Sequence, residues 1–476
     1  MKYNRIITFA LCFVMFFSNA YATTNEIDTT DGKVMYDFFE NVLKATEKVY
    51  RFDVTRDELL TAAIKKMITE DPATFDKLMK GAYSALEEHS RYLSENEFTK
   101  ATEDIGGEFV GIGVNISENN GKTVVGAPIT GSPAHLAGLQ IGDVIETVDG
   151  VDIAGFVIDK TVSIIRGVIG TTVVIVVDRA GEKITFNIVR DTIKISPVEY
   201  NVLDKNNSAY VRISSFNANT DEYLSTALDE LSKKGVDKII LDLRYNPGGL
   251  LIEAVNVASH FLPDNSLVVT EDYKNSEKNT KFYSQHTDKK FKVVVLVNEN
   301  SASASEIVSG AIKDHKAGTL VGKTTYGKGT VQQPTRLKNG GAMWITVAKY
   351  NTPSGVNIDK IGIDPDVNVK NTKEKADLSK FEPVDATRKL TLGNTGKDVL
   401  AIKQRLNIMG YYFNSVDDKY DDRTVDVVRN FQEKNGLFPY GVADLTTQLK
   451  IIEISRDSEV EVDKQLERAK EIIFKM

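Results

Sequence analysis

The sequence has almost no cysteine and very little histidine. Its one cysteine, Cys12, lies in the N-terminal apolar segment, so the chain beyond that segment has no thiol for disulfides or cysteine chemistry. The five histidines are scattered, and no His, Cys and Asp cluster has metal-ligand spacing, so we expect no metal and no organic cofactor. With 59 Lys and Arg against 67 Asp and Glu, the net charge is −8 and there is no dense basic run, which argues against nucleic acid as the main partner.

Long hydrophobic runs are also missing, except at the N-terminus. There, Lys2 and Arg5 precede an apolar stretch from Ile6 to about Phe17, and the small-residue pattern Ala20-Tyr21-Ala22 follows. This order is typical of a cleavable signal peptide, which would occupy residues 1–22. The apolar stretch is shorter than the about 20 residues of a transmembrane helix, although an uncleaved anchor remains the alternative. The sequence therefore predicts an exported protein of the cell envelope, or one that is secreted.

The remaining chain changes character several times. Helical periodicity gives way to short β-rich runs with glycine turns, then to alternating strands and helices, a charged stretch and a compact helical end. No long low-complexity tract and no repeat of fixed period is present. The predicted divisions are a helical region (23–100), a β-rich domain (101–193), an α/β core (194–370), a linker (371–387), a small helical domain (388–452) and a C-terminal helix (453–476).

The stretch NENSASASEIVSG (298–310) joins a buried strand to a helix in this prediction. It follows the apolar run FKVVVLVN and contains alternating serines, of which Ser303 is the middle one. A serine on such a turn can be a nucleophile, but it needs a base within hydrogen-bond reach. Ser303 and Glu306 also fit a capping box, which is a purely structural alternative.

A lysine in a glycine-rich stretch is one candidate base. Lys328 lies between Gly327 and Gly329 in GTLVGKTTYGKGTVQQP (318–334), and Gln332 follows at a distance that allows it to orient the amine. Desolvation can lower the pKa of a lysine toward neutrality, so that it can accept a proton. A histidine base and a solvated surface lysine both stay open here, because triad partners converge only in space.

A third stretch, LDLRYNPGGL (241–250), ends a predicted strand with Asn-Pro-Gly-Gly and leads into a helix. Backbone N–H groups exposed at a helix N-terminus favour developing negative charge, so this turn can supply an oxyanion hole. An ordinary strand-to-helix turn is the alternative.

Together these three stretches resemble the carboxyl-terminal processing proteases, which are exported serine peptidases with a Ser-Lys pair. The resemblance covers roughly residues 31–370. It implies that Ser303 is the nucleophile, that Lys328 is the base and that Gln332 assists it.

The same resemblance assigns the oxyanion hole. It implies that the amide of Ala304 and the amide of Gly248 or Gly249 hold the oxyanion, with Gly249 the favoured glycine. Ser301 and Ser305 are then structural residues of the turn.

The β-rich domain resembles a PDZ domain in FVGIGVNI (109–116) and GSPAHLAGLQIGDVIETVDGVDI (131–153). PDZ domains bind peptides by adding a strand to a sheet edge and hold the terminal carboxylate with backbone amides. The resemblance implies that substrate C-termini are bound and that Arg166 senses the bound peptide. The peptide-binding residues implied in the loop are Val110, Gly111, Ile112 and Gly113.

The small helical domain resembles a three-helix peptidoglycan-binding module in LTLGNTGKDVLAIKQRLNIMGYY, YDDRTVDVVRNFQEKNGL and YGVADLTTQL. Peptidoglycan is therefore the expected second partner. The terminal helices would allow a homodimer, which related enzymes form.

The predicted fold class is multidomain α/β. It comprises an N-terminal helical arm, a PDZ domain, a crotonase/ClpP-like α/β protease core and a small three-helix peptidoglycan-binding-like domain. The predicted function is an exported endopeptidase that cleaves proteins recognised by their C-termini. The alternative is a non-catalytic envelope scaffold that recruits partners through its PDZ and wall-binding modules.

Overall fold

The structure is a computed structural model that describes residues 30–119, 121–179, 181–203, 205–285, 291–413 and 415–476. The expected signal peptide, with Cys12, lies outside the described residues, and so does His286. The chain divides into two compact units, Met1–Ser94 and Glu95–Met476. In the described part of the chain, no helix has the length and apolar character needed to cross a membrane.

The first unit contains the helices that its periodicity predicts. Thr55 and Glu58 form a capping box, in which the Thr55 N–H donates to the Glu58 carboxylate and the Glu58 N–H donates to Thr55 Oγ1. Arg56 then donates two hydrogen bonds, of 2.9 and 2.6 Å, to the Glu40 carboxylate of the preceding helix. The elements are α1 (Gly32–Val49), α2 (Arg56–Glu70), α3 (Thr74–Tyr83) and β1 (Arg91–Leu93).

The second unit begins with the β-rich domain. One sheet has the strand order β3-β4-β5-β7-β8 with β6 paired to β5, and β2 pairs with β9. On β7, Val173, Ile175 and Val177 alternate inward and are fully buried. The elements are α4 (Glu95–Gly106), β2 (Glu108–Gly111), β3 (Val114–Asn119), β4 (Lys122–Pro128), α5 (Pro133–Ala137), β5 (Val144–Val148), β6 (Val151–Asp152), α6 (Ile158–Ile165), β7 (Thr172–Arg179), β8 (Glu182–Val189) and β9 (Asp191–Lys194).

The α/β core follows, built on a six-stranded sheet of order β10-β11-β12-β15-β16-β19 that is parallel from β11 onward. A second, antiparallel sheet pairs β17 with β18, β18 with β13 and β13 with β14. The elements are β10 (Val198–Val202), β11 (Ser208–Ile213), α7 (Thr220–Lys233), β12 (Lys238–Asp242), α8 (Leu251–Ser259), β13 (Leu267–Tyr273), β14 (Thr280–Tyr283), β15 (Lys292–Val297), α9 (Ala304–Asp314), β16 (Gly318–Gly322), β17 (Thr330–Arg336), β18 (Ala342–Asn351) and β19 (Val367–Asn368).

The C-terminal part differs from the sequence prediction. The stretch 371–387, predicted as a linker, contains a strand, and 453–476, predicted as a helix, contains a strand and a shorter helix. The two strands pair antiparallel, and opposite charges face each other across them, with Lys373 opposite Glu461 and Lys375 opposite Glu459. The elements are β20 (Thr372–Lys375), α10 (Lys397–Ile408), α11 (Asp422–Lys434), α12 (Leu445–Ser455), β21 (Glu459–Val462) and α13 (Lys464–Ile473).

The main sheet is buried on both faces, which explains why its strands are continuous apolar runs in the sequence. Ile239 and Leu241 of β12 face the cluster that contains residues of α7, α8 and α9. Ile240 points the other way and packs with Ala469 and Ile473 of α13. The last helix of the chain therefore closes the second face of the sheet.

Parallel order also fixes where the functional turns lie. Strands β12, β15 and β16 are neighbours and run in the same direction. Their carboxyl ends therefore meet at one edge of the sheet, where ligands bind in α/β folds. The turns that follow them contain LRYNPGG (243–249), NENSAS (298–303) and the GKG sequence (327–329), so topology brings the three predicted motifs together.

We expect Ile473→Ala to lower the free energy of unfolding by about 2–4 kcal/mol, because it leaves a cavity under α13. Ile473 is fully buried against residues of β12, β15 and β16. The measurement is denaturant unfolding of the full chain. Ile141→Ala removes the same atoms from a side chain that is 51% exposed, and an equal loss in both variants would contradict the packing of α13 on the sheet.

Candidate active site

Ser303 has an unusual backbone conformation at the end of the strand β15 and the start of α9. Its φ is 54° and its ψ is −114°, a region that L-residues disfavour. Such a conformation costs about 1–3 kcal/mol and persists only where surrounding contacts hold it. Ala302 and Ala304 on either side are buried, whereas Ser303 is partly exposed. The turn thus presents this one serine at the surface of the site.

The two neighbouring serines are packed inside. Ser301 Oγ donates to the Leu243 carbonyl at 2.8 Å, and Ser305 Oγ donates to the Asn246 carbonyl at 3.0 Å. Both serines are fully buried. Their hydroxyls therefore attach the serine turn to the turn that follows β12, in agreement with the structural role expected for them.

The Glu306 carboxylate connects the serine turn to the GKG segment. Its Oε2 accepts hydrogen bonds from the backbone N–H of Ser303 at 2.8 Å and of Lys328 at 2.9 Å. Its Oε1 accepts from the Gly327 N–H at 2.7 Å and from Thr325 Oγ1 at 2.6 Å. Because the first two donors share one oxygen atom, the backbone nitrogens of Ser303 and Lys328 lie within about 6 Å of each other.

Glu306 is fully buried, and burial raises the pKa of its carboxyl above the usual value. The hydrogen bonds from Thr325 and from the three backbone N–H groups oppose that rise, because they favour the ionised form. The glutamate half of the predicted capping box is present, since Glu306 accepts from the Ser303 N–H. The sequence pattern missed the other three donors, which come from the segment 325–328.

Tyr350 on β18 makes a second connection between the same two segments. Its hydroxyl contacts the Lys328 carbonyl in a short hydrogen bond and donates to the Ser303 carbonyl at 3.2 Å. Burial raises the pKa of Tyr350 well above its usual value, so the hydroxyl stays protonated. The glycines around Lys328 permit close backbone packing, since a Cβ on Gly329 would lie 2.5 Å from the Asp359 nitrogen.

Gln332 lies on β17 directly after a register irregularity between Val331 and Gln332. Such irregularities change the direction of a side chain relative to the regular strand. The Gln332 side-chain nitrogen donates to Thr330 Oγ1 at 2.8 Å and to Thr346 Oγ1 at 3.0 Å. Two threonine hydroxyls therefore fix the orientation of this amide.

The Asn-Pro-Gly-Gly turn lies directly against the serine. A Cβ on Gly248, whose φ is 102°, would lie 2.7 Å from Ser303 Cβ and 2.9 Å from the Ala304 nitrogen, so no other residue fits there. Asn246 is fully buried, and its Oδ1 accepts from the Gly248 N–H at 2.8 Å. Its carbonyl accepts from the Ala302 N–H at 3.0 Å, which closes the contact between the two turns.

The described histidines have other partners than Ser303. His260 Nε2 lies 2.8 Å from Asp221 Oδ1, and the same nitrogen lies 3.3 Å from Ser225 Oγ. A catalytic triad uses the two ring nitrogens separately, so this is not one. His315 Nε2 bonds the Leu267 carbonyl, His135 Nδ1 accepts from the Gly131 N–H, and His89 pairs with Glu88.

Comparison with known proteins gives the family. Residues 207–369 match peptidase family S41, 124–179 match the PDZ domain and 395–451 match a peptidoglycan binding domain. The chain is 35% identical over 409 residues to carboxy-terminal processing protease CtpA of Bacillus subtilis, with 84% of this chain and 86% of that protein covered. The chain belongs to the carboxyl-terminal processing proteases.

The chain is also similar to other proteins. The CtpA-like serine protease of Staphylococcus haemolyticus is 33% identical over 381 residues, which cover 80% of this chain and 76% of that protein. Among solved structures, a photosystem II D1 C-terminal processing protease is 31% identical, with 70% of this chain and 92% of that chain covered and a TM-score of 0.40. The family resemblance and the multidomain α/β fold class predicted from the motifs are both confirmed.

The PDZ domain of this peptidase has a cavity of about 540 Å³. Gly111, Ile112 and Gly113 of the predicted loop line it, whereas Val110 is paired with Thr192 in the sheet formed by β2 and β9. Most of the lining is apolar, as PDZ peptide grooves require. The apolar side chains from β2, β3 and α6 are Phe109, Val114, Ile116, Ile158, Val162 and Ile165.

Arg166 ends α6 at the edge of this cavity. Its guanidinium forms an ion pair of 2.5 Å with Glu103 of α4, and it lies 4.8 Å from the centre of the Phe109 ring. The structure therefore places the predicted sensor on the lining of the groove, where a carboxylate of the chain itself pairs with it.

We expect Glu306→Gln to lower peptidase activity about 100-fold or more, because small displacements of reacting groups have effects of this size. Each carboxylate oxygen accepts two donors, so an amide nitrogen in either place leaves two of them without an acceptor. Each such donor also costs about 1–3 kcal/mol of stability. The measurements are cleavage of an unstructured protein and denaturant unfolding.

The matched control is Glu299→Gln, which changes an acid that is 58% exposed in the loop before α9. We expect it to leave activity and stability close to those of the unchanged protein. Equal activity of both variants and the unchanged protein would contradict the role given to Glu306.

Proposed function

We propose that this peptidase is an exported endopeptidase in which Ser303 is the nucleophile and Lys328 is the base. One observation carries the proposal. A single oxygen atom of Glu306 accepts from the backbone N–H of both residues, so their backbones lie close together although 25 positions separate them in the sequence, which supports the pair. The Tyr350 hydroxyl connects the carbonyls of the same two residues and supports this arrangement.

The reaction follows from these groups. Neutral Lys328 accepts the proton of Ser303 Oγ while Oγ attacks the scissile carbonyl carbon, and Gln332 positions the amine. The proton then passes to the departing amine of the substrate. Water, activated by Lys328, hydrolyses the resulting acyl-enzyme and restores the serine. The proposal needs no metal or organic cofactor, because the amine of Lys328 serves as the base.

The oxyanion of the tetrahedral intermediate would be held by the amides of Ala304 and Gly249. Ala304 is the first residue of α9, where backbone N–H groups have no acceptor within the helix and the helix dipole favours negative charge. The Gly248 N–H already donates to Asn246 Oδ1, which supports Gly249 as the second donor. One such donor typically contributes a factor of about 10²–10³ to the rate.

Substrates would be recognised by their C-termini in the PDZ groove. The apolar lining suits an apolar terminal side chain, and the loop through Ile112 and Gly113 is where backbone amides hold a carboxylate in this domain type. Arg166 would then exchange its contact with Glu103 for a contact that depends on the bound peptide.

The same proposal places the protein outside the cytoplasm. The signal-peptide pattern at residues 1–22, the lack of cysteine beyond it and the peptidoglycan binding domain all fit an envelope protein that is tethered to peptidoglycan or secreted. A homodimer through the N-terminal helices is part of this proposal, whereas Ala469 and Ile473 of the C-terminal helix α13 are already buried on the main sheet. It is supported by the exposed apolar side chains Tyr36, Val49 and Phe52 in the first unit.

We expect Ser303→Ala and Lys328→Ala each to abolish cleavage of an unstructured protein, because the first removes the nucleophile and the second removes its base. Gel analysis of a casein digest is a sufficient measurement. Lys323→Ala, in the same loop as Lys328, should cleave at the rate of the unchanged protein.

Three outcomes would contradict the proposal. Cleavage by Ser303→Ala at the full rate, or no cleavage by the unchanged protein, would favour the envelope scaffold. Cleavage that is lost in Ser303→Ala but retained in Lys328→Ala would indicate a base other than Lys328.

We expect Arg166→Ala to slow cleavage of substrates with a free apolar C-terminus by about 10-fold or more, because PDZ recognition depends on that end of the peptide. Cleavage of a substrate with an amidated C-terminus should be slow in both proteins. Lys183→Ala, which changes an exposed cation of the same domain, is the matched control. Full activity of the Arg166 variant on the free C-terminus would remove this residue from the mechanism.

A further inference from the structure

The chain returns to the peptidase core after the peptidoglycan binding domain. Strands β20 and β21 pair antiparallel, from Thr372 opposite Val462 to Lys375 opposite Glu459. The helical domain is therefore an insertion between two paired strands rather than a terminal appendage. The helix α13 then packs on the main sheet, with Ala469 and Ile473 fully buried.

The first turn of α13 binds an arginine of the core. Asp463, the N-cap of this helix, accepts from Arg244 Nη1 at 2.7 Å and from Nη2 at 2.9 Å, one donor for each carboxylate oxygen. Gln465 Oε1 accepts from the same Nη1 at 3.1 Å. Paired hydrogen bonds between a guanidinium and a carboxylate fix orientation as well as distance. Asp463 and Gln465 of the last helical segment therefore fix the orientation of the Arg244 guanidinium.

Asp242, at the end of β12, binds Arg244 from the other side. Arg244 Nη2 donates to Asp242 Oδ2 at 2.6 Å, and Tyr210 donates to the same oxygen at 2.8 Å. Burial by itself lowers the pKa of Arg244, but the hydrogen bonds that Arg244 donates to Asp242 and Asp463 outweigh it and raise that pKa. The pKa of Asp463 is lowered by Arg244 although its own burial acts in the opposite sense. The charge of the buried Arg244 and that of the partly exposed Asp463 thus depend on one another.

Arg244 is the second residue of the turn (243–249) that faces the nucleophile. Tyr245 follows with a φ of 59° and donates its N–H to Asn298 Oδ1 at 3.0 Å. Asn246 then binds the Gly248 N–H and the Ala302 N–H. The turn has no regular secondary structure of its own, so its position depends on these side-chain contacts and on the point at which β12 ends. Arg244 lies just after that point and is held there by its contacts with both carboxylates.

We propose that Asp463 is a positioning residue of the peptidase, which holds Arg244 and through it the turn that carries Gly248 and Gly249. The segment after the peptidoglycan binding domain is then required for the chemical step, although no residue of it touches substrate. This inference rests on the proposed function, in which the turn supplies an oxyanion donor.

The test uses Asp463→Asn in the full chain, with kcat and KM measured on labelled casein. Asparagine is as good an N-cap as aspartate, so it keeps the bond to the Leu466 N–H while its amide nitrogen cannot accept from the guanidinium. We expect kcat to fall about 10-fold or more, with KM changed less than about twofold, because the oxyanion donor acts mainly in the transition state. The matched control, Glu467→Gln, changes an acid of the same helical turn that is 57% exposed, and should keep the kcat of the unchanged protein.

A second variant tests whether Asp463 acts through Arg244. Arg244→Lys keeps the charge but loses the paired geometry, so it should lower kcat to a similar extent. The double variant should be no slower than Arg244→Lys alone. All proteins are assayed well below the melting temperature of the least stable one.

Two results would overturn the inference. One is an unchanged kcat in Asp463→Asn, including the case in which only KM rises. The other is a double variant in which the two effects multiply. Absence of cleavage by the unchanged protein would instead refute the proposed function. Failure of the inference and failure of the proposed function are therefore distinguishable.

Discussion

The site depends on one buried carboxylate that accepts four hydrogen bonds. Ser303 has a backbone conformation that its own residue type disfavours, and the GKG segment has no regular secondary structure before β17 begins. Glu306 accepts from the N–H groups of Ser303, Gly327 and Lys328, and it does so from the first turn of α9, where the helix dipole favours a negative charge. One side chain therefore stabilises the strained serine and fixes its distance from the lysine segment.

Much of the fold could be predicted from local pattern. The strands β12, β15 and β16 are apolar runs that end in polar turns, and their shared direction brings the three motifs to one edge. The roles of Glu306 and Tyr350 could not be predicted in this way, because their partners are distant in the sequence. Glu306 accepts from residues 19 to 22 positions away, and Tyr350 bonds residues 22 and 47 positions away. Local pattern assigned Glu306 to a helix cap, which describes only one of its four bonds.

In the C-terminal region, the local sequence pattern predicted the wrong secondary structure. Residues 371–387 have the charged composition of a linker, and that composition hides the strand β20. Its lysines are compatible with a strand only because Glu459 and Glu461 lie opposite them. Those partners follow more than 80 residues later, after the inserted domain. Pairing of this kind cannot be seen in a local window, and it is what brings α13 back to the main sheet.

The peptide groove and the oxyanion turn share one short segment of backbone. Ser215 and Asn217 line the groove of the PDZ domain. The backbone of Phe216, which lies between them, forms hydrogen bonds with the turn that contains Gly248. The Phe216 N–H donates to the Gly248 carbonyl at 3.0 Å, and its carbonyl accepts from the Leu250 N–H at 2.7 Å. A peptide that shifts residues 215–217 must therefore strain these two bonds or move the turn with them. Arg244 opposes that movement from the far end of the turn, so in the proposed mechanism the position of the oxyanion donor reflects a balance between the groove and the last helix.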